Sequence, residues 1–234
     1  MSVILVVLIV IGGISAWWLA HQGLMSKPWL EQGAITASRN TAVAGMPTAK
    51  LGLGVFLAVV GSLFALFASA YFMRMEAWDW QAPPLPRVLW LNTGFLVLSS
   101  VALHLGVSAG RRNETQSMRL ALATGGLCAL AFLVGQLVAW RDLTASGYWL
   151  GANPGNSFFY LLTGMHGLHI IGGLVALAWT TIRGWTAEKD GRQQLWVELC
   201  ATYWHFLLFI WLAVFVLLAG WAGDFIAICR QVLS

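Results

Sequence analysis

The sequence predicts an all-α fold, a polytopic transmembrane helix bundle, and three observations predict it. Of its 234 residues 59% are hydrophobic and only 9% are charged. Apolar runs of about 20 residues, the length that crosses a hydrocarbon core, recur along the chain. Polar, glycine- and proline-containing stretches punctuate those runs. Composition of this kind, with a mean hydropathy of +0.75, excludes a soluble domain of this size. The net charge of +4 comes from few residues scattered over loops. It reports membrane orientation and points to no nucleic-acid partner.

Six spans are expected, at about 3–20, 51–73, 88–109, 118–140, 157–183 and 195–222. They form one membrane domain over residues 1–234. Residues 1–50 supply an extra N-terminal helix and a cytoplasmic linker, and 51–222 supply a five-helix bundle. The first run has neither a basic n-region nor a small-residue cleavage site, so it is expected to be a retained helix rather than a signal peptide. The linker is polar, with one anchored turn at Lys27-Pro28-Trp29-Leu30. Gly52, Gly54, Gly61, Ser62, Ala65, Ala68 and Ala70 crowd the second span, which predicts tight helix packing there.

Six spans put both termini on one side. The opposite side holds Lys27, Arg39, Lys50, Arg111, Arg112, Arg119, Arg183, Lys189 and Arg192, against Arg74, Arg87, Arg141 and Arg230 on the first. The positive-inside rule then places the richer side in the cytoplasm and both termini in the periplasm of a bacterial plasma membrane. Tryptophans mark the same boundaries: Trp17, Trp18, Trp78, Trp80, Trp90, Trp140, Trp149, Trp185, Trp196 and Trp221 fall at or near predicted helix ends, as an aromatic belt requires. Trp204 and Trp211 are exceptions, seven apart and so on one face of the last span. The connections 75–87 and 145–156 mix aromatics with turn formers, which predicts ordered loops lying on the membrane surface or on a partner.

Candidate chemistry sits in the last two spans. His166 and His169 are three apart, on neighbouring sides of one helical turn. Glu198 and His205 are seven apart on the next span. A shared carboxylate–histidine metal site is one reading of this set. Depth argues against it: at 1.5 Å per residue His166 lies about 13 Å below the outer end, and Glu198 only about 5 Å from the inner one. His169 and His205 differ by about 6 Å in depth by the same rise, so they either meet or each bond a backbone carbonyl or hydroxyl. Intramembrane polar groups pair off by default, so interhelical contacts are the leading reading. A lipid-headgroup or proton-pathway role and a metal or haem site stand beside it. Glu198 either reaches water at the boundary or pairs inside the bundle. Asn92, Thr93 and Gln136 are candidates for interhelical hydrogen bonds, each worth about 1 kcal/mol. Cys128, Cys200 and Cys229 show no ligand or disulfide spacing. Phosphate loops, nucleophile triads and zinc spacings do not occur in the sequence.

Phe158-Phe159, then Thr163-Gly164-Met165-His166-Gly167-Leu168-His169, then Gly172-Gly173, resembles the sixth helix of subunit III of haem–copper cytochrome c oxidases. Glu198, Tyr203-Trp204-His205-Phe206 and Trp211 are similar to its last helix. Leu91-Asn92-Thr93 resembles the start of its fourth, and Gln136 stands where its fifth has a glutamine. The resemblance covers about residues 51–222 in order. It implies a non-catalytic subunit of a bacterial terminal oxidase that oxidises cytochrome c, reduces oxygen to water and pumps protons. No catalytic residue, metal ligand or cofactor is then expected in this chain. Haem and copper would lie in partner subunits I and II, and this chain would bind phospholipid and stabilise the catalytic subunit, with His166, His169, Glu198, Trp204 and His205 as a structural or lipid-contact motif. Subunits of quinol oxidases and accessory subunits of nitric oxide reductases share the pattern and form the close alternative. A small membrane transporter is the distant one; it predicts broken helices and repeated halves, and no internal symmetry is seen. The family's full form has seven helices split by a lipid-filled cleft, so one helix fewer is expected here. Ser62 occupies the place of a frequent membrane acid and Leu208 that of a frequent aspartate, which weakens a proton-collecting role.

Overall fold

The computed structural model describes residues 48–186 and 191–221. The predicted first span and most of the linker lie outside them. The described residues form five helices and no strand: α1 (Thr48–Met75), α2 (Val88–Arg111), α3 (Thr115–Ala145), α4 (Pro154–Thr186) and α5 (Gly191–Leu218). All five are long and apolar enough to cross a membrane, and they correspond to the second to sixth predicted spans.

The helices run past most predicted ends because a hydropathy pattern stops at the first polar residues while backbone hydrogen bonding continues. The helix α3 carries on through Arg141, Asp142 and Thr144. The exception is α5, which closes at Leu218, four residues before the predicted limit. There Gly220 takes φ 77°, a conformation that glycine enters without a Cβ penalty and that commonly ends helices.

The connections fold back onto the bundle. Between α1 and α2, Trp80 turns inward onto Tyr71 at a ring distance of 4.8 Å and onto Phe158 at 5.9 Å. Arg74 and Asp79 pair at 2.6 Å, while Trp78 is 97% exposed. One loop tryptophan thus packs against the core and the other is exposed. The α2–α3 turn is tight. Asn113 adopts φ 60°, and the Glu114 N–H donates to the Ala109 carbonyl. The α3–α4 connection is held by Tyr160, whose hydroxyl donates to the Tyr148 carbonyl, and by Asn156, whose side-chain amide donates to the Trp149 carbonyl.

Contacts alternate in direction, as an up-and-down bundle requires. Successive helices pair antiparallel, α2 on α3, α3 on α4 and α4 on α5, and α5 also closes antiparallel on α2, while α1 leans on α4 and α5. Ser99 Oγ donates to the Gly125 carbonyl at 2.7 Å, and Leu103 reaches the same glycine, where an added Cβ would stand 3.1 Å from it. Gly173 meets Tyr203 and Trp204 just as closely, with an added Cβ only 2.7 and 2.8 Å from their rings. Small residues matter here because lipid tails are as apolar as leucine, so close van der Waals contact, not exclusion from water, holds membrane helices together.

The expectation for the small residues of α1 needs correction. Gly61 faces Phe206, but Gly52 and Gly54 have no described neighbour within 4 Å of an added Cβ. Ser62 donates to its own helix at the Ala58 carbonyl. What attaches α1 is a narrow stripe of bulk, Val60, Phe64 and Tyr71, all buried.

Candidate functional site: a buried histidine, a charged end and a lateral cavity

Three distinct places collect the residues singled out in the sequence. The first is the bundle centre. His166 on α4 is 0% exposed and enclosed by rings: Trp211 at 5.1 Å, Phe132 at 5.6 Å and Phe64 at 6.4 Å between centroids. Trp211 anchors this packing by donating its Nε1–H to Thr93 Oγ1 at 2.9 Å. Thr93 is therefore an interhelical polar contact, as expected. Asn92 and Gln136 are buried beside it but have no hydrogen-bond partner among the described residues, and neither do the His166 ring nitrogens or Trp204 Nε1. The expected hydrogen bonds from Asn92 and Gln136 are thus not made within the described residues. Asn92 instead lies flat against Gly135, where any Cβ would collide with its amide. Trp140 is also more than a belt residue, since its Nε1–H donates to Thr163 Oγ1 at 3.0 Å.

The second place is one end of the bundle. Glu198 takes Lys50 Nζ at 3.1 Å and Arg111 at 3.2 Å on its two oxygens. It neither simply reaches water nor joins the buried centre; it ties the start of α1 and the end of α2 to the first turns of α5. Glu198 thus has Lys50 and Arg111 as its partners, whereas His166 is surrounded by Phe64, Phe132 and Trp211.

The histidines separate too. His169 Nδ1 bonds the Met165 carbonyl of its own helix, and its own carbonyl accepts from Tyr203 Oη at 2.9 Å. His205 lies on the other side of α5, bonded through Nδ1 to Ser100 Oγ, with its ring tilted against that of His104 at 5.7 Å. His169 and His205 therefore do not meet. Their azimuth on the two helices keeps them apart, and of the two expected outcomes it is the second, a carbonyl for His169 and a hydroxyl for His205, that occurs. His104 and Ser100 were missed in the sequence, although an ionisable residue inside the third span is itself a signal. No group of three or more His, Cys, Asp or Glu side chains suited to a metal ion occurs among the described residues.

The third place is a cavity of about 590 Å³ among α1, α4 and α5. Gly52 and Phe56 wall it on one side, Gly173 and Trp179 on a second, Trp196 and Trp204 on a third. Trp204 is thus both a packing partner of Gly173 and a cavity wall. The walls are apolar, and Ala49 and Trp196 place one edge of the cavity beside the Lys50–Glu198 pair.

Five crossing helices, the enclosed histidine of α4 and the aromatic α5 seam stand in the order the oxidase resemblance requires. The family profile of cytochrome c oxidase subunit III matches residues 32–223. The chain belongs to the cytochrome c oxidase subunit III family. It is 32% identical over 160 residues to a probable cytochrome c oxidase subunit 3 of Mycobacterium bovis, covering 67% of this chain and 77% of that one. It is 30% identical over 176 residues to cytochrome c oxidase subunit 3 of Thermostichus vulcanus, with 72% and 85% covered. Its similarity to the Synechocystis protein of the same name is 29% over 175 residues, or 71% and 72% of the two chains. With this family and these helices, the chain is a multi-pass protein of the plasma membrane.

Proposed function

We propose that this chain is the non-catalytic subunit III of a bacterial cytochrome c oxidase, flanking the haem- and copper-bearing catalytic subunit and stabilising it during turnover. The match of the family profile over residues 32–223 carries the reading, and the site geometry supports it. Its most conspicuous histidine, His166, is enclosed by three aromatic rings, which leave no room for a porphyrin at the ring. His169 bonds a carbonyl of its own helix and His205 a serine hydroxyl, rather than a common ligand. In this reading haem and copper belong to the partner subunits.

Phospholipid binding is the second part of the proposal. A cavity of about 590 Å³ falls in the range of roughly 300–1,000 Å³ typical of ligand sites. Its apolar walls suit an acyl chain, and Lys50 and Arg111 around Glu198 leave one net positive charge near its edge for a phosphate headgroup. The Lys50–Glu198–Arg111 end is then the cytoplasmic one, in keeping with the excess of basic residues on that side.

The test is affinity purification of the chain from its own membrane in mild detergent. A stoichiometric complex with haem absorption, copper and cytochrome c oxidation is expected, with phospholipid recovered on extraction. A chain that purifies alone, or with a Soret band of its own after the other subunits are stripped away, overturns the reading.

A further inference from the structure

We infer that the α2–α5 face carrying Ser100, His104 and His205 is where this chain meets a transmembrane helix of the catalytic subunit; the inference rests on the subunit reading above. Arg111 and Glu198 pair at the end of the bundle. His104 lies seven residues from Arg111 along α2, and His205 seven residues from Glu198 along α5. Both are thus about 10 Å deeper than the ion pair by the helical rise, inside the hydrocarbon layer. They sit side by side, 5.7 Å between ring centroids, and both are exposed on the bundle's outer surface.

That placement does not suit lipid. Ionisable side chains at membrane depth face protein or a water-filled cavity and pair there, because acyl chains offer no hydrogen-bond partner. Among the described residues His205 bonds through Nδ1 to Ser100, which leaves Nε2 for a group outside the described residues. The His104 ring contacts the His205 ring and makes no hydrogen bond among the described residues. The rest of the face is apolar, with Val101, Phe209 and Leu212 exposed. It therefore offers a helical partner an apolar track with one polar station. The outer side of α3 differs: Leu120, Leu127, Leu130, Val134 and Leu137 are exposed with no histidine, acidic or basic residue between them, as a lipid-facing surface should be. The occupant that fits α2–α5 is a membrane helix bearing one hydrogen-bonding side chain about 10 Å below its charged end.

A photoreactive amino acid placed at Val101, and separately at Leu127, in the full chain within the purified complex tests this. Irradiation should join position 101 to another polypeptide of the haem-bearing complex at least tenfold more than position 127, with the partner identified by peptide mass. The double variant His104→Leu/His205→Leu should lower the fraction of chain retained with haem several-fold, while the isolated chain keeps its unfolding midpoint. Cross-links from Val101 only to lipid or to this chain, or equal yields from Leu127, overturn the assignment of the face alone. A complex without any haem-bearing subunit overturns the face and the subunit reading together.

Discussion

The helix α1 and the helix α5 are almost equally apolar, yet one leans on the molecule and the other is built into it. Of the most apolar stretch of α1 only 11% is buried, against 56% of that of α5. The sequence would rank them the other way, since α1 is crowded with glycine and alanine and α5 with tryptophan, tyrosine and phenylalanine. A small residue permits close approach but does not cause it. Gly173 is buried because Tyr203 and Trp204 insert against it; Gly52 and Gly54 have no such partner among the described residues, and Gly52 borders an open cavity instead. In a membrane, where the solvent is itself apolar, shape complementarity between a large and a small residue decides which faces meet.

The sharpest way to break this comparison is Trp211→Ala on α5. It removes a fully buried indole that covers His166 and Phe132 and bonds Thr93. A loss of about 3–5 kcal/mol is expected, read by titration with a denaturing detergent. Gly173→Val comes next. Its Cβ would stand under 3 Å from two aromatic rings, and a cost of about 1–3 kcal/mol is expected from overpacking, with α4 and α5 separating in a double-label distance measurement. Glu198→Gln should cost less than about 1 kcal/mol, since Lys50 and Arg111 are largely exposed and such pairs are weak; raising the salt concentration should shrink the difference. The smallest effect belongs to Gly54→Ala. With nothing within 4 Å, it should leave stability unchanged or raise it by up to about 1 kcal/mol through helix propensity. A large loss there would mean that α1 is as tightly packed as its composition suggests.

These differences also explain what could be read from the sequence. Hydropathy located all five described helices because a crossing needs a long uncharged run whatever it packs against. The helical rise placed His166 and Glu198 at different depths, since depth depends on the chain alone. What the sequence withheld is rotation about each helix axis. His169 and His205 differ by only about 6 Å in depth by the helical rise, yet they face Met165 and Ser100 respectively. The pairing of Glu198 with Lys50 and Arg111 escaped for the same reason: it joins three helices whose neighbourhood no local pattern encodes. The polar cluster of Ser100, His104 and His205 was legible only in part, as a histidine inside an apolar run.

The most direct test of the central claim, that this chain stabilises a catalytic partner without performing the chemistry, is to strip it selectively from the purified complex and follow oxygen consumption over successive turnovers. The depleted complex should keep its haem spectrum and its initial rate, and then lose activity in fewer turnovers than the intact one. Haem leaving with the chain, or an initial rate abolished by its removal, would contradict the account.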